Sequence, residues 1–91
     1  MAAALDEAHV SSIKGALGHA IAGAGALGFL AACAAILDGR VLPTAGLLEP
    51  DAACALPHVQ GRALARPIRT ALVNAFAFGG ANTSLVLRGV A

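Results

Sequence analysis

Lys14 and His19 are the residues of this 91-residue chain best placed, by type and spacing, to do chemistry. They stand five residues apart with Gly15 and Gly18 between them, so they read as a Gly-rich loop that delivers two ionisable groups to the start of a helix. A second candidate lies far along the chain, where Phe78 precedes Gly79-Gly80 in a run of turn formers, residues 77–83. Paired glycines let a backbone adopt conformations that present main-chain N–H groups to a ligand. The chemistry on offer is therefore that of two ionisable side chains and a set of amide donors.

The elements that must hold these groups are legible around them. Residues 20–37 carry no charge and are rich in Ala and Gly, with bulk from Leu27, Leu30, Ile36 and Leu37. Small residues on every side let other elements approach closely, so the stretch is expected to be a buried helix, ended by Asp38-Gly39 with Gly39 as the residue just past its C-terminus. Its length would also suit a bilayer span. Gly23, Gly25 and Gly28 in a background with few large aliphatics weaken that reading. The same glycines spell a literal GxGxxG, with Glu49 at the offset of a ribose-binding acid. A dinucleotide site needs a buried strand running into the first glycine, and Lys14, Gly15, Gly18 and His19 occupy that place instead. Residues 71–76 and 84–88 read as two strands pairing antiparallel about the glycine turn. Between helix and hairpin, residues 41–44 read as an extended connection and 47–57 as an irregular loop, since Pro50 and Pro57 forbid a regular helix there. Residues 11–13 suit a short strand or a helix cap, and residues 2–8 are helix-prone.

Composition bounds the function. Hydrophobic residues make up 58% and charged residues 12%, with no Trp or Tyr, which is more apolar than the surface of a self-contained soluble domain of this size allows. A net charge of +1 without a basic run or interleaved aromatics excludes nucleic acid as a partner. Cys33 and Cys54 lack the spacing of a zinc site or a disulfide framework, and Cys33 reads as a small core residue. His9 reads as a surface histidine, and Cys54 with His58 has no third ligand to form a metal site. Arg62, Arg66 and Arg69 have near-helical spacing, but Pro67 breaks any single helix across them, which leaves a solvated basic edge. Asp6 and Glu7 with no early apolar run imply no secretory leader, and a reducing cytoplasm is expected.

Four motifs in order, namely Lys14-Gly15-Ala16-Leu17-Gly18-His19, the Gly/Ala helix start through Gly25, Pro43-Thr44, and Asn74-Ala75-Phe76-Ala77-Phe78-Gly79-Gly80-Ala81-Asn82, resemble the C-terminal motifs of beta-ketoacyl-[acyl-carrier-protein] synthases. The resemblance covers residues 11–91, with 1–10 as a tail. It implies an α/β fold, the C-terminal part of a thiolase-like layered structure, and a decarboxylative Claisen condensation of an enzyme-bound acyl group with a malonyl-carrier protein, in fatty-acid or polyketide synthesis. By the same resemblance His19 donates a hydrogen bond to the enolate formed as carbon dioxide leaves, and Lys14 supports that histidine. Phe78 gates the acyl site and offers a backbone N–H to the thioester oxyanion, and Gly79 and Gly80 shape the substrate-binding loop. Thr44, Asn74 and Asn82 are expected to order structure and loops. The implied partners are acyl carrier protein and a cysteine-bearing N-terminal half or partner subunit, in an enzyme that is a dimer when complete; no cofactor, metal or membrane is implied.

The departures from the pattern are as specific. Family members carry the nucleophilic cysteine and a second catalytic histidine in a long N-terminal half that this sequence does not contain, and neither Cys33 nor Cys54 replaces the cysteine. Nine residues after His19, where the family has a glutamate paired with the lysine, stands Gly28. Ala77, Ala81 and Ala22 replace a Gly, a Thr and a Gly. The chain is thus expected to be inactive alone; the competing reading is a non-catalytic interaction subunit or truncated-gene remnant of the same fold.

Overall fold

The computed structural model describes residues 8–90. In chain order the elements are α1 (Lys14–Leu17), α2 (Ala24–Asp38), β1 (Arg40–Val41), β2 (Leu64–Ala65), β3 (Thr70–Ala77) and β4 (Ala81–Arg88), with 3-10 turns at Ile21–Gly23 and Ala52–Cys54. The helix-prone residues 2–7 lie outside the described residues. β3 and β4 form an antiparallel pair in which Thr70 faces Arg88 and Ala77 faces Ala81. Both strands are longer than the sequence suggested, so the turn narrows to residues 78–80. β1 and β2 form a second antiparallel pair, Arg40 with Ala65 and Val41 with Leu64, which two-residue runs with no alternation do not announce.

The α/β organisation expected from the sequence is the one observed: α2 crosses one face of the β3–β4 pair. Gly25 and Gly28 make the approach possible, since a Cβ on Gly25 would lie 3.7 Å from Ala75 Cβ and one on Gly28 would lie 3.3 Å from Val73 Cγ1. At the far end Gly39 adopts φ 67°, and its N–H donates to Ala35 O at 2.9 Å, closing the last turn. The contacts run in opposite directions along the two elements: the start of α2 meets Ala75, and Ile36 meets the chain at Gly89, just past β4. The N-terminus of α2 and the tip of the hairpin therefore lie at the same end of the molecule.

β3 covers the glycine side of α2, and among the described residues its other side is open. No residue of α2 is fully buried; one side is covered by β3, while Leu30 and Leu37 are 59% and 87% exposed. The physical reason is that its apolar surface extends all round, whereas the described residues cover it from one side only. The segment Ile21–Asp38 is long and apolar enough to cross a membrane by length and composition, yet its glycine face is already committed to β3. Cys33 is half-buried. The GxGxxG glycines lie in and just before this helix, with no strand leading into them, so the dinucleotide pattern is coincidental.

Among the described residues only Val59 is a buried hydrophobic. It sits at a crossing of three segments: its N–H donates to Val10 O at 3.0 Å, its carbonyl accepts from Thr44 N at 2.9 Å, and Val10 N–H donates to Pro57 O at 2.9 Å. The accessible surface is 6894 Å² for 8.9 kDa, whereas a compact monomer of that mass exposes about 4,800 Å². The excess of about 2,000 Å² matches the scale of a permanent subunit interface. Expressed alone, the chain should bind hydrophobic dyes and aggregate or behave as a molten state. A sharp thermal transition with well-dispersed NMR signals from the monomer would contradict this.

Candidate active-site corner

His19 follows α1 and is exposed. Its Nδ1 accepts a hydrogen bond from the Ile21 backbone N–H at 2.8 Å. An imidazole nitrogen that accepts carries no proton, so in the neutral ring the proton resides on Nε2, which becomes a donor. Ile21 itself adopts φ 56°, a conformation that is unfavourable for a β-branched residue. No sequence signal marks Ile21 for this role, since its residue type is among the least suited to that backbone. Gly18, at φ 77°, makes the preceding reversal.

Lys14 is exposed and engages the fold through its backbone, whose N–H donates to Ser12 Oγ at 3.2 Å. Ser12 in turn donates its N–H to Thr44 Oγ1 at 3.1 Å, and Ser11 Oγ donates to Leu42 O. These bonds moor the segment before His19 to the run around Pro43, so Thr44 orders the corner as expected and residues 11–12 act as tethers. Gly15 is packed against the Ala45 carbonyl so closely that a Cβ there would overlap its oxygen.

The hairpin tip lies at the same end of α2. Phe78 is 107% exposed, and Gly79 and Gly80 adopt φ 89° and 84° with open space around their α-carbons. They are needed for backbone conformation, not for room. The N–H groups of Phe78, Gly79 and Gly80 are not taken up by the turn and loop bonds of the described chain, so they remain available as donors. Asn74 Oδ1 accepts from Ser84 Oγ at 2.7 Å across the strand pair, and Asn82 faces Phe76 in register. A depression at residues 36–39 and 66–69 and another around His58 and Val59 lie apart from Lys14, His19 and Phe78, none of which lines them. Elsewhere His58 Nε2 lies 2.9 Å from Cys54 O, which closes a loop, and Arg66 Nη1 donates to His9 Nε2 at 2.6 Å.

Known proteins match much of this chain. A family model described as "Beta-ketoacyl synthase, C-terminal domain" matches residues 2–48, just over half of the chain and the part that includes Lys14, His19 and α2. The chain belongs to the beta-ketoacyl synthase family. Relatives match over more of the chain. The 3-oxoacyl-[acyl-carrier-protein] synthase 2 of Synechocystis sp. is 39% identical over 87% of the chain. That of Coxiella burnetii is 42% identical and Nodulation protein E of Rhizobium meliloti 41% identical, each over 89% of the chain. The chain spans 19–20% of the length of these relatives. It is a C-terminal ketosynthase domain, and the region of the family that carries the nucleophilic cysteine is not part of it.

The departures of this ketosynthase domain from the family pattern acquire locations. Ala77 and Ala81 form the pair that closes the hairpin, and Ala22 lies in the 3-10 turn after His19. Residue 28 faces Val73 of β3, so a glutamate restored there meets that valine before it can reach any lysine. Gly28→Glu should therefore lower stability by about 1–3 kcal/mol, the usual cost of overpacking, and Val73→Ala should recover part of it. A double-mutant cycle showing no coupling between positions 28 and 73 would refute this; coupling of Gly28→Glu to Lys14→Ala instead would mean that the carboxylate escapes toward the lysine.

Proposed function

We propose that this chain supplies the enolate-stabilising half of a beta-ketoacyl synthase site, working with a cysteine-bearing half provided by another polypeptide or by more of the same one. An acyl group held as a thioester on that cysteine is condensed with malonyl-acyl carrier protein in an acyltransferase reaction. The C–COO⁻ bond of the malonyl group breaks, carbon dioxide leaves, and the electron pair passes into the thioester as an enolate. His19 Nε2–H donates to the enolate oxygen, where charge develops. The enolate carbon then attacks the acyl thioester, the tetrahedral oxyanion is met by amide donors of the Phe78-Gly79-Gly80 turn, and the cysteine thiolate departs. Lys14, moored through Ser12, lends positive charge to the same corner. A cytoplasmic setting and a dimeric complete enzyme belong to the same reading.

The observation that carries this reading is the Ile21 N–H to His19 Nδ1 bond, which leaves the imidazole with its donor on the other nitrogen without any external partner. The test is to combine the chain with a ketosynthase half that carries the cysteine and to follow carbon dioxide released from malonyl-acyl carrier protein. Release above that of either part alone is the expected result. A stable complex with no release would favour an interaction subunit and overturn the catalytic reading.

A further inference from the structure

The β3–β4 hairpin has two unlike faces. Val73 and Ala75 meet Gly28 and Gly25 of α2, and side chains alternate along a strand, so Leu72, Asn74 and Phe76 belong to the opposite face. Residues paired in register share a face: Leu72 is opposite Val86, Asn74 opposite Ser84 and Phe76 opposite Asn82. On this second face Ser84 Oγ donates to Asn74 Oδ1 at 2.7 Å. Among the described residues it is the one hydrogen bond between side chains within the hairpin.

The turn above this bond has little else to hold it. Ala77 and Ala81 close it, and their methyls give a weak cross-strand grip. Phe78 is exposed, and Gly79 and Gly80 have open space around their α-carbons. Glycines that adopt φ 89° and 84° readily can also leave those conformations readily, so the direction of the turn's N–H groups depends on the strands beneath. Because Asn74 and Ser84 stand directly opposite, their bond forms in this register alone. A slip of two residues, which would keep every side chain on its own face, sets Asn74 against Val86 or Asn82 and breaks it.

We propose that Asn74 and Ser84 are positioning residues for the amide donors of the Phe78-Gly79-Gly80 turn, a role that rests on the catalytic reading in which His19 meets the enolate and the turn meets the tetrahedral oxyanion. Phe78 lies four residues beyond Asn74, about 13 Å at 3.3 Å per residue, so the pair acts through the strands and not by touching the reacting atoms. The two chemical tasks fall to separate elements, and loosening the hairpin divides them. Carbon dioxide still leaves and His19 still stabilises the enolate. With the turn donors out of place, attack on the acyl thioester slows, and the enolate carbon takes a proton from water instead. The malonyl group then ends as acetyl, and the acyl group stays on the cysteine.

The test uses the chain in complex with an acylated, cysteine-bearing half, and compares ketoacyl product with carbon dioxide released from malonyl-acyl carrier protein. Asn74→Ala and Ser84→Ala should each lower that ratio by about tenfold, less than the loss of a whole oxyanion donor. The deficit should appear as acetyl-acyl carrier protein, with carbon dioxide release close to that of wild type. Asn74→Ser combined with Ser84→Asn restores the same two groups in opposite order and should recover much of the ratio. An unchanged ratio in the alanine variants, a parallel fall of both products, or no recovery in the exchanged pair would overturn the proposal. A wild-type complex that releases no carbon dioxide is a distinct result, which removes the catalytic reading and this role with it.

Discussion

His19→Ala, in a complex with the cysteine-bearing half, should lower malonyl decarboxylation by roughly 10²–10³, the usual loss for one preorganised donor aimed at developing charge. The geometry makes the expectation sharper than a count of histidines would. Nδ1 is occupied by the Ile21 N–H at 2.8 Å, so the ring is oriented and its tautomer chosen before substrate arrives, and no reorganisation is required during the step. His19→Gln, which keeps an amide donor without the fixed ring, should retain more decarboxylation than His19→Ala while falling well short of the wild type. Both losses should lie in kcat more than in KM, because the bond strengthens as the enolate forms. Decarboxylation unchanged in His19→Ala would remove this residue from the mechanism, and the Ile21 contact would then be a device of folding alone.

Gly15→Ala should destabilise the domain by about 1–3 kcal/mol or more, although helix propensity alone argues for the opposite sign. Alanine is favoured over glycine in a helix by about 1 kcal/mol, and α1 is helical at this position. The new methyl, however, would overlap the carbonyl oxygen of Ala45, a backbone atom that cannot rotate away. Relief requires moving the α1 turn or the loop after Thr44, and either motion breaks the Ser12–Thr44 tether that holds the segment before His19. The loss should appear as weaker association with the cysteine-bearing half and as reduced decarboxylation in the complex that does form. Gly46→Ala, in the same loop with open space around it, supplies the control for backbone strain without the clash. A Gly15→Ala variant as stable as wild type would show that the contact is not maintained in the assembled protein.

The local features were legible in the sequence because they rest on short-range physics. Uninterrupted Ala and Gly with four larger aliphatics produced one helix, Asp38-Gly39 ended it with a left-handed residue, and two β-rich runs flanking paired glycines produced a hairpin. The motifs also identified the family, since order and spacing survive without any three-dimensional knowledge. An apolar surface on every side of α2 states that a helix can be covered, while the number of sides covered depends on what packs against it, and here β3 covers one. The short β1–β2 pair was invisible for a related reason: two residues carry no periodicity, and the pairing is made by contacts across more than twenty residues of chain.

Only the tertiary structure decided the features on which the predictions rest. Ile21 is by type a poor occupant of φ 56°, so nothing in its identity announces that its N–H sets the tautomer of His19. Gly15 looks like a flexible loop residue and proves to be a close-packing one, a distinction set by Ala45 thirty residues away. Gly79 and Gly80, by contrast, are the turn glycines their context suggests. Residue types and near neighbours in the chain determine backbone preference and motif; contacts between distant segments determine which face is covered and which glycine must stay small, because those depend on distances that sequence separation does not encode.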